Sequence, residues 1–255
     1  MDNMQKIPVF FTFDANYLLA AKVAIHSMMK HASRQYWYEL YVFHTTLSPK
    51  AQQSLRNSLK EFTHTELHFI DVTQYNEKIK NFGTKAHYSK EIFYKLIATD
   101  VLPQYDRIIC SDVDVVFTGD FSPVFFMFPN EKFYYAGVGP VENSRMPYYR
   151  KDFSTTEMEI LEHEIAAGFL LINLKELRND HKQEEIINFY VNNYPRLRLP
   201  EQDCIILTCW PYIKYLPIDY SLPISFYRLN MNQRDFYQGN TEFAGDKATA
   251  LAKFN

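Results

Sequence analysis

"IPVFFTFDANYLLAAKVAIHSMMKHA" (7–32) decides the fold. Its first half, 7–14, is a continuous apolar run, the pattern of a strand buried on both faces. Its second half, 16–32, carries helical periodicity. The unit then repeats. "YELYVFHT" (38–45) reads as a strand, "SPKAQQSLRNSLKEF" (48–62) as a helix, and "TELHFIDV" (65–72) as a third strand. Ser48 is the N-cap of that helix and Pro49 its first helical residue. Strand, helix, strand, helix, strand predicts a parallel sheet with right-handed crossovers.

Further along, "SKEIFYKLIATDVLP" (89–103) predicts a helix closed by Pro103, "RIICSD" (107–112) a strand, and "VVFTG" (115–119) a short strand after it. "FYYAGVGPV" (133–141) and "AAGFLLINL" (166–174) read as strands, "KELRNDHKQEEIINFYVNNY" (175–194) and "PEQDCIILTCW" (200–210) as helices. Residues 142–162 are polar, aromatic and without period, the mark of a functional excursion. The segment 212–255 is rich in Tyr, Phe and Pro and has no assignable pattern. The expectation is one α/β domain over 1–255, an αβα sandwich on a mostly parallel sheet.

Composition narrows the function. The 255 residues are 47% hydrophobic, enough for a substantial core, and the net charge of −3 gives no basic surface for nucleic acid. No apolar run approaches the roughly 18 residues of a membrane span. Three cysteines, Cys110, Cys204 and Cys209, are an odd number in apolar company, which points to a reduced, cytoplasmic protein. With 7 glycines and no G-x-G-x-x-G or Walker loop, nucleotide binding through such loops is disfavoured.

"RIICSDVDVVFTGD" (107–120) places Asp112 and Asp114 between two apolar runs. Residues i and i+2 of an extended segment point the same way, so both carboxylates can reach one point. There they repel unless a cation lies between them. Hard oxygen ligands suit Mg²⁺ or Mn²⁺, which also accept phosphate oxygens. Ligands of open sheets collect beyond the carboxyl ends of the strands. The pair therefore reads as a metal clamp for a diphosphate, although D-x-D also arises by chance. A haloacid-dehalogenase-type phosphatase, with the first Asp as nucleophile, is a rival reading. Such enzymes carry the motif near the N-terminus, and "GDKATA" (245–250) lacks their second acid.

Several segments together resemble glycosyltransferase family 8, retaining enzymes that include bacterial lipopolysaccharide galactosyl- and glucosyltransferases and glycogenin. They are "VFFTFDANYLLAAKVAIHSM" (9–28), "FYKLIATDVLP" (93–103), "RIICSDVDVVFTGD" (107–120), "AAGFLLINLKELR" (166–178) and "PEQDCI" (200–205). The resemblance implies a GT-A fold, a UDP-sugar donor and Mn²⁺ (or Mg²⁺). It implies that Asp14, Asn16 and Tyr17, with the backbone of Thr12, hold uridine, and that Lys95 faces the diphosphate. It makes Asp112 and Asp114 metal ligands and lets Val113 lend its backbone to the ribose. Ala167, Gly168, Glu201 and Gln202 would face the donor sugar, with Gln202 beneath the anomeric carbon and Asp203 beside it as the fallback nucleophile.

Plainer readings stand beside these. Asp14 and Asn16 suit a helix N-cap, Lys95 a solvated helix face, Asn173 a strand end, and Glu201 and Asp203 a helix N-terminus. Three departures from the family pattern bear on activity. Ala166 replaces an Asn that helps hold the sugar, and Glu201 replaces an Asp. The family's late H-x-x-G-x-x-K-P-W, source of a third metal ligand, does not occur up to Asn255. The expectation is a piece of a longer polypeptide whose further C-terminal region supports peripheral membrane association.

The function expected is transfer of a hexose, galactose or glucose, from a UDP-sugar to a saccharide acceptor, with retention, in lipopolysaccharide, capsule or glycoprotein glycan synthesis. The acceptor would dock on 142–162 and on aromatics such as Tyr148, Tyr149, Phe226 and Tyr227. The alternative is a degenerate module that binds nucleotide or glycan without transfer.

Overall fold

The computed structural model describes residues 4–80, 89–139 and 151–221. Seven strands form one sheet in the order β3-β2-β1-β4-β6-β5-β7. The strands are β1 (Lys6–Thr12), β2 (Trp37–His44), β3 (Thr65–Asp71), β4 (Ile108–Ser111), β5 (Tyr135–Val138), β6 (Phe169–Ile172) and β7 (Ile213–Leu216). β3, β2, β1 and β4 run parallel, as do β5 and β7, while β6 lies antiparallel between β4 and β5.

Two apolar layers sandwich the sheet because alternate strand residues face opposite sides. Val9 and Phe11 pack under α1 (Leu18–His31) and α2 (Pro49–Ser58) with Ala24, Met28 and Leu55. Phe10 and Phe43 face the other layer, against Phe93, Tyr190 and Ile205. Each fully buried Leu, Ile or Phe contributes about 1.5–3 kcal/mol. Two short helices, α3 (Asn76–Ile79) and α4 (Ala98–Val101), precede β4. α5 (Thr155–Leu161), α6 (Leu174–Asn179), α7 (Lys182–Asn193) and α8 (Pro200–Cys209) follow β5.

Several elements differ from the sequence expectation. "VVFTG" forms no strand; the Phe117 N–H instead donates to Ser27 Oγ on α1 at 3.0 Å. The helix expected over 175–194 is two, α6 and α7, broken at His181, whose φ of 51° lies in the left-handed region. The run over 89–103 winds mainly as a 3-10 helix, Lys90–Ile97, before α4. Part of the supposed excursion is α5, closed at its start by a capping box between Ser154 and Glu157. The residues 142–150 and 222–255, with Tyr148, Tyr149, Phe226 and Tyr227, lie outside the described residues.

Gly139, just past β5, allows a close approach to the segment before β6. A Cβ there would sit 2.6 Å from the Glu164 carbonyl oxygen, closer than atoms tolerate. Gly139→Ala is therefore expected to lower stability by about 1–3 kcal/mol, read as a lower urea midpoint with an unchanged slope.

Candidate functional site

A cleft opens where the carboxyl ends of β1 and β4 meet. β1 connects onward to β2 on one side and β4 lies on the other, so the cleft sits at the switch point of the sheet. Thr12, Phe13 and Tyr17 line it from the β1 end, Asp112, Val113 and Asp114 from the β4 end. Ser89, Glu91, Ile92 and Lys95 close a third side, and Glu201 of α8 reaches in from the fourth.

The floor is an ion cluster. Lys95, 2% exposed, places its ammonium 2.6 Å from Asp112 Oδ1 and 3.3 Å from Glu201 Oε1, and donates to the Ala167 carbonyl at 3.0 Å. Burial alone would pull the Lys95 pKa down, but Asp112 and Glu201 outweigh it and hold it above the usual lysine value. Desolvation pushes the Asp112 carboxyl up, against the pull of Lys95. The reading of Lys95 as a solvated charge is thus corrected: no water-facing ammonium is this buried.

Asp112 stands one residue beyond β4, its N–H donating to the Gly168 carbonyl at 2.8 Å, an extension of the β4–β6 pairing. A Cβ on Gly168 would come within 3.3 Å of Asp112 Oδ2, so glycine leaves that oxygen its room. Asp114 is exposed on the rim of the same cleft. The two aspartates thus share one cavity although neither belongs to a strand.

Thr12 uses its hydroxyl to donate to the Glu91 carbonyl at 2.7 Å, which ties β1 to the 3-10 helix. Asp14 caps the 3-10 turn Ala15–Tyr17: its Oδ1 accepts the Asn16 N–H at 2.8 Å and its Oδ2 meets Asn16 Nδ2 at 3.2 Å. Asp14 and Asn16 do not line the cleft, whereas Tyr17, 41% exposed, does. Asn173 caps α6, accepting the Glu176 N–H, a role at the strand end. Ala166 donates its N–H to the Val138 carbonyl at 2.7 Å.

Glu201 and Gln202 each keep one buried atom without a partner among the described residues, Oε2 and Nε2 respectively. Gln202 Oε1 accepts the Ala167 N–H at 3.3 Å, and its residue stands just behind the lining. Asp203 is fully buried and does not line the cleft; its Oδ2 accepts the N–H groups of Arg198 (2.5 Å) and Leu199 (3.0 Å). Sequence reasoning missed Glu91, 3% exposed in the wall. An acid two residues after Ser89 reads only as a helix start, so nothing local marks it.

By formal charge the lining holds four carboxylates, Glu91, Asp112, Asp114 and Glu201, against one ammonium, Lys95. A diphosphate entering it alone meets net repulsion, so its binding needs added positive charge. Among the described residues no group of three or more His, Cys, Asp or Glu could hold a metal ion. Two carboxylates with phosphate oxygens and waters completing the shell are a sufficient donor set for Mg²⁺ or Mn²⁺.

A flanked, mostly parallel sheet with an acidic cleft at its switch point is the GT-A architecture of glycosyltransferases. The chain belongs to glycosyl transferase family 8, whose family model matches residues 8–243. Among solved structures it resembles the bifunctional glycosyltransferase WbbM in its apo form, with 19% identity and a TM-score of 0.68. It also resembles the glycosyltransferase GlyE of Streptococcus pneumoniae TIGR4, with 17% identity and a TM-score of 0.66. A third likeness is the galactosyltransferase LgtC in complex with donor and acceptor sugar analogues, at 15% identity and 0.68. These cover 84%, 93% and 98% of this chain, which in turn spans 39%, 52% and 83% of theirs. At such identities the likeness is one of fold. No curated protein matches significantly. Among the described residues no helix is long and apolar enough to cross a membrane.

Proposed function

We propose that this glycosyltransferase moves a hexose, galactose or glucose, from a UDP-sugar to a saccharide acceptor with retention of configuration. The observation that carries the reading is the buried Lys95–Asp112–Glu201 cluster flooring a cleft that Asp114 rims. Tyr17 offers a ring face for the uracil, and the Asp14-capped turn fixes where that ring stands. The backbone of Val113 meets the ribose. Asp112 and Asp114 would hold Mn²⁺ or Mg²⁺, which would supply Lewis-acid stabilisation of the departing diphosphate. Lys95 adds a fixed positive charge on the side of the leaving oxygens, with no reorganisation needed when that charge develops.

The unpartnered Glu201 Oε2 is an acceptor for a sugar hydroxyl, and the Gln202 amide a donor to one. Ala167 and Gly168 bring backbone close to the sugar. Gln202 offers only an amide beneath the anomeric carbon, so the acceptor enters on the face UDP leaves. Its proton passes to the leaving phosphate oxygen. Lipopolysaccharide, capsule or a glycoprotein glycan would supply the acceptor.

The test incubates the protein with UDP-glucose or UDP-galactose, Mn²⁺ and a panel of saccharides, and follows UDP release. Release with transfer supports the reading. UDP binding without release from any UDP-sugar would instead make the chain a nucleotide-binding module, and neither binding nor release would end both readings.

A further inference from the structure

A second carboxylate beside the proposed sugar site has no opening to the cleft. Asp203 is 0% exposed, and its Oδ2 takes two backbone N–H groups, from Arg198 and Leu199, at the start of α8. The Asp203 N–H in turn donates to the Leu199 carbonyl at 2.7 Å, so side chain and backbone close one loop. Pro200, first residue of α8, has no N–H to contribute. The carboxylate therefore ties the two residues that lead into α8, Arg198 and Leu199, back onto its first turn, where the helix dipole also favours negative charge.

The same segment is pinned from outside. The Arg198 guanidinium pairs with Asp152, and Arg196 pairs with Glu157 at 2.7 Å, both at the entry to α5. The two residues between Leu199 and Asp203 that face the sugar region, Glu201 and Gln202, are thus carried on a turn fixed at each end.

We propose, resting on the function proposed above, that Asp203 is a positioning residue and not a nucleophile. It anchors the N-terminus of α8 and so fixes where Glu201 and Gln202 stand. A carboxylate oxygen that already accepts two backbone hydrogen bonds, at 2.5 and 3.0 Å, is held in place and made less nucleophilic, both of which oppose attack on carbon.

Hydrogen–deuterium exchange and kinetics on the full chain test this together. In Asp203→Ala the Arg198 and Leu199 amides lose their acceptor and exchange faster, while Asp203→Asn, which keeps an acceptor oxygen, preserves most of their protection. UDP release falls about a hundredfold in Asp203→Ala, the scale of a misplaced site, and Asp203→Asn recovers at least about tenfold of it. Azide added to Asp203→Ala yields no glycosyl azide. Equal amide exchange in wild type and Asp203→Ala would overturn the proposal, and this arm needs no activity. Equal inactivity of the Asn and Ala variants, with azide trapping the sugar on Asp203→Ala, would overturn it too. A wild type that releases no UDP instead defeats the proposed function and leaves the exchange result to decide Asp203's role.

Discussion

Lys95→Met is expected to abolish UDP release and to weaken the fold, the largest combined effect of any single change at this site. Lys95 is 2% exposed and pairs with two carboxylates, Asp112 at 2.6 Å and Glu201 at 3.3 Å. Removing one partner of a buried ion cluster strands the others and costs about 3–5 kcal/mol. The lower end applies here, because the Asp112 side chain keeps 36% exposure and water screens it in part. Activity falls by on the order of a thousandfold, since the fixed charge facing the leaving diphosphate goes with the side chain.

Urea unfolding and UDP release measure the two effects separately, and pH separates them again. Desolvation already holds the Asp112 pKa above its unfolded value, and Lys95 is what pulls it down. Without Lys95 it rises further. A carboxyl whose folded pKa lies above the unfolded one destabilises the fold as pH rises through that interval. The stability deficit of Lys95→Met therefore shrinks on acidification from neutral pH toward the ordinary carboxylate range. A deficit constant with pH would mean that Lys95 acts by packing alone. Lys95→Met combined with Glu201→Gln should regain part of the stability and none of the activity.

The second large effect separates the two aspartates. Asp114→Asn is expected to cut UDP release by on the order of a hundredfold to a thousandfold while leaving stability within about 0.5 kcal/mol, because Asp114 is exposed. Asp112→Asn is expected to match that loss of activity and to change stability as well, since it also takes a partner from Lys95. Were the pair a surface coincidence, Asp114→Asn would be silent in both assays. Raising Mn²⁺ should recover part of the activity of each single variant and none in the double variant.

The fold was largely legible because its central strands, β1 and β2 above all, are buried on both faces. The apolar runs at 7–14, 38–45 and 65–72 fall on β1, β2 and β3 within two residues at each end. Ser48 and Pro49 open α2 as their types require. What escaped had tertiary causes. The Lys and Glu pattern of 175–194 continues through His181, and only the backbone angle there shows the break. "VVFTG" has a strand's composition, yet α1 takes up its Phe117 N–H through the Ser27 hydroxyl. α5 was readable in principle, since Ser154 and Glu157 form the capping-box spacing, but aromatic and charged neighbours masked its period.

The site divides the same way. Asp112, Asp114, Tyr17, Lys95 and Glu201, expected from local motifs and a family resemblance, all come to one cleft. The burial of Lys95 could not be read from a lone helical lysine, since burial depends on Ala167 and Glu201 arriving from strands and helices more than 70 residues away. Nor could the direction of Asp203. A carboxylate near a helix start suits a cap and a nucleophile equally, and the hydrogen bonds to Arg198 and Leu199 are visible only in the folded chain.

Calorimetric titration of the full chain with UDP, with and without Mn²⁺, in wild type and Asp114→Asn, bears most directly on the central idea of a cation clamped between carboxylates and diphosphate. Binding that needs Mn²⁺ in wild type and is lost in Asp114→Asn is the predicted result. UDP bound equally with and without Mn²⁺, or equally by both proteins, would contradict it.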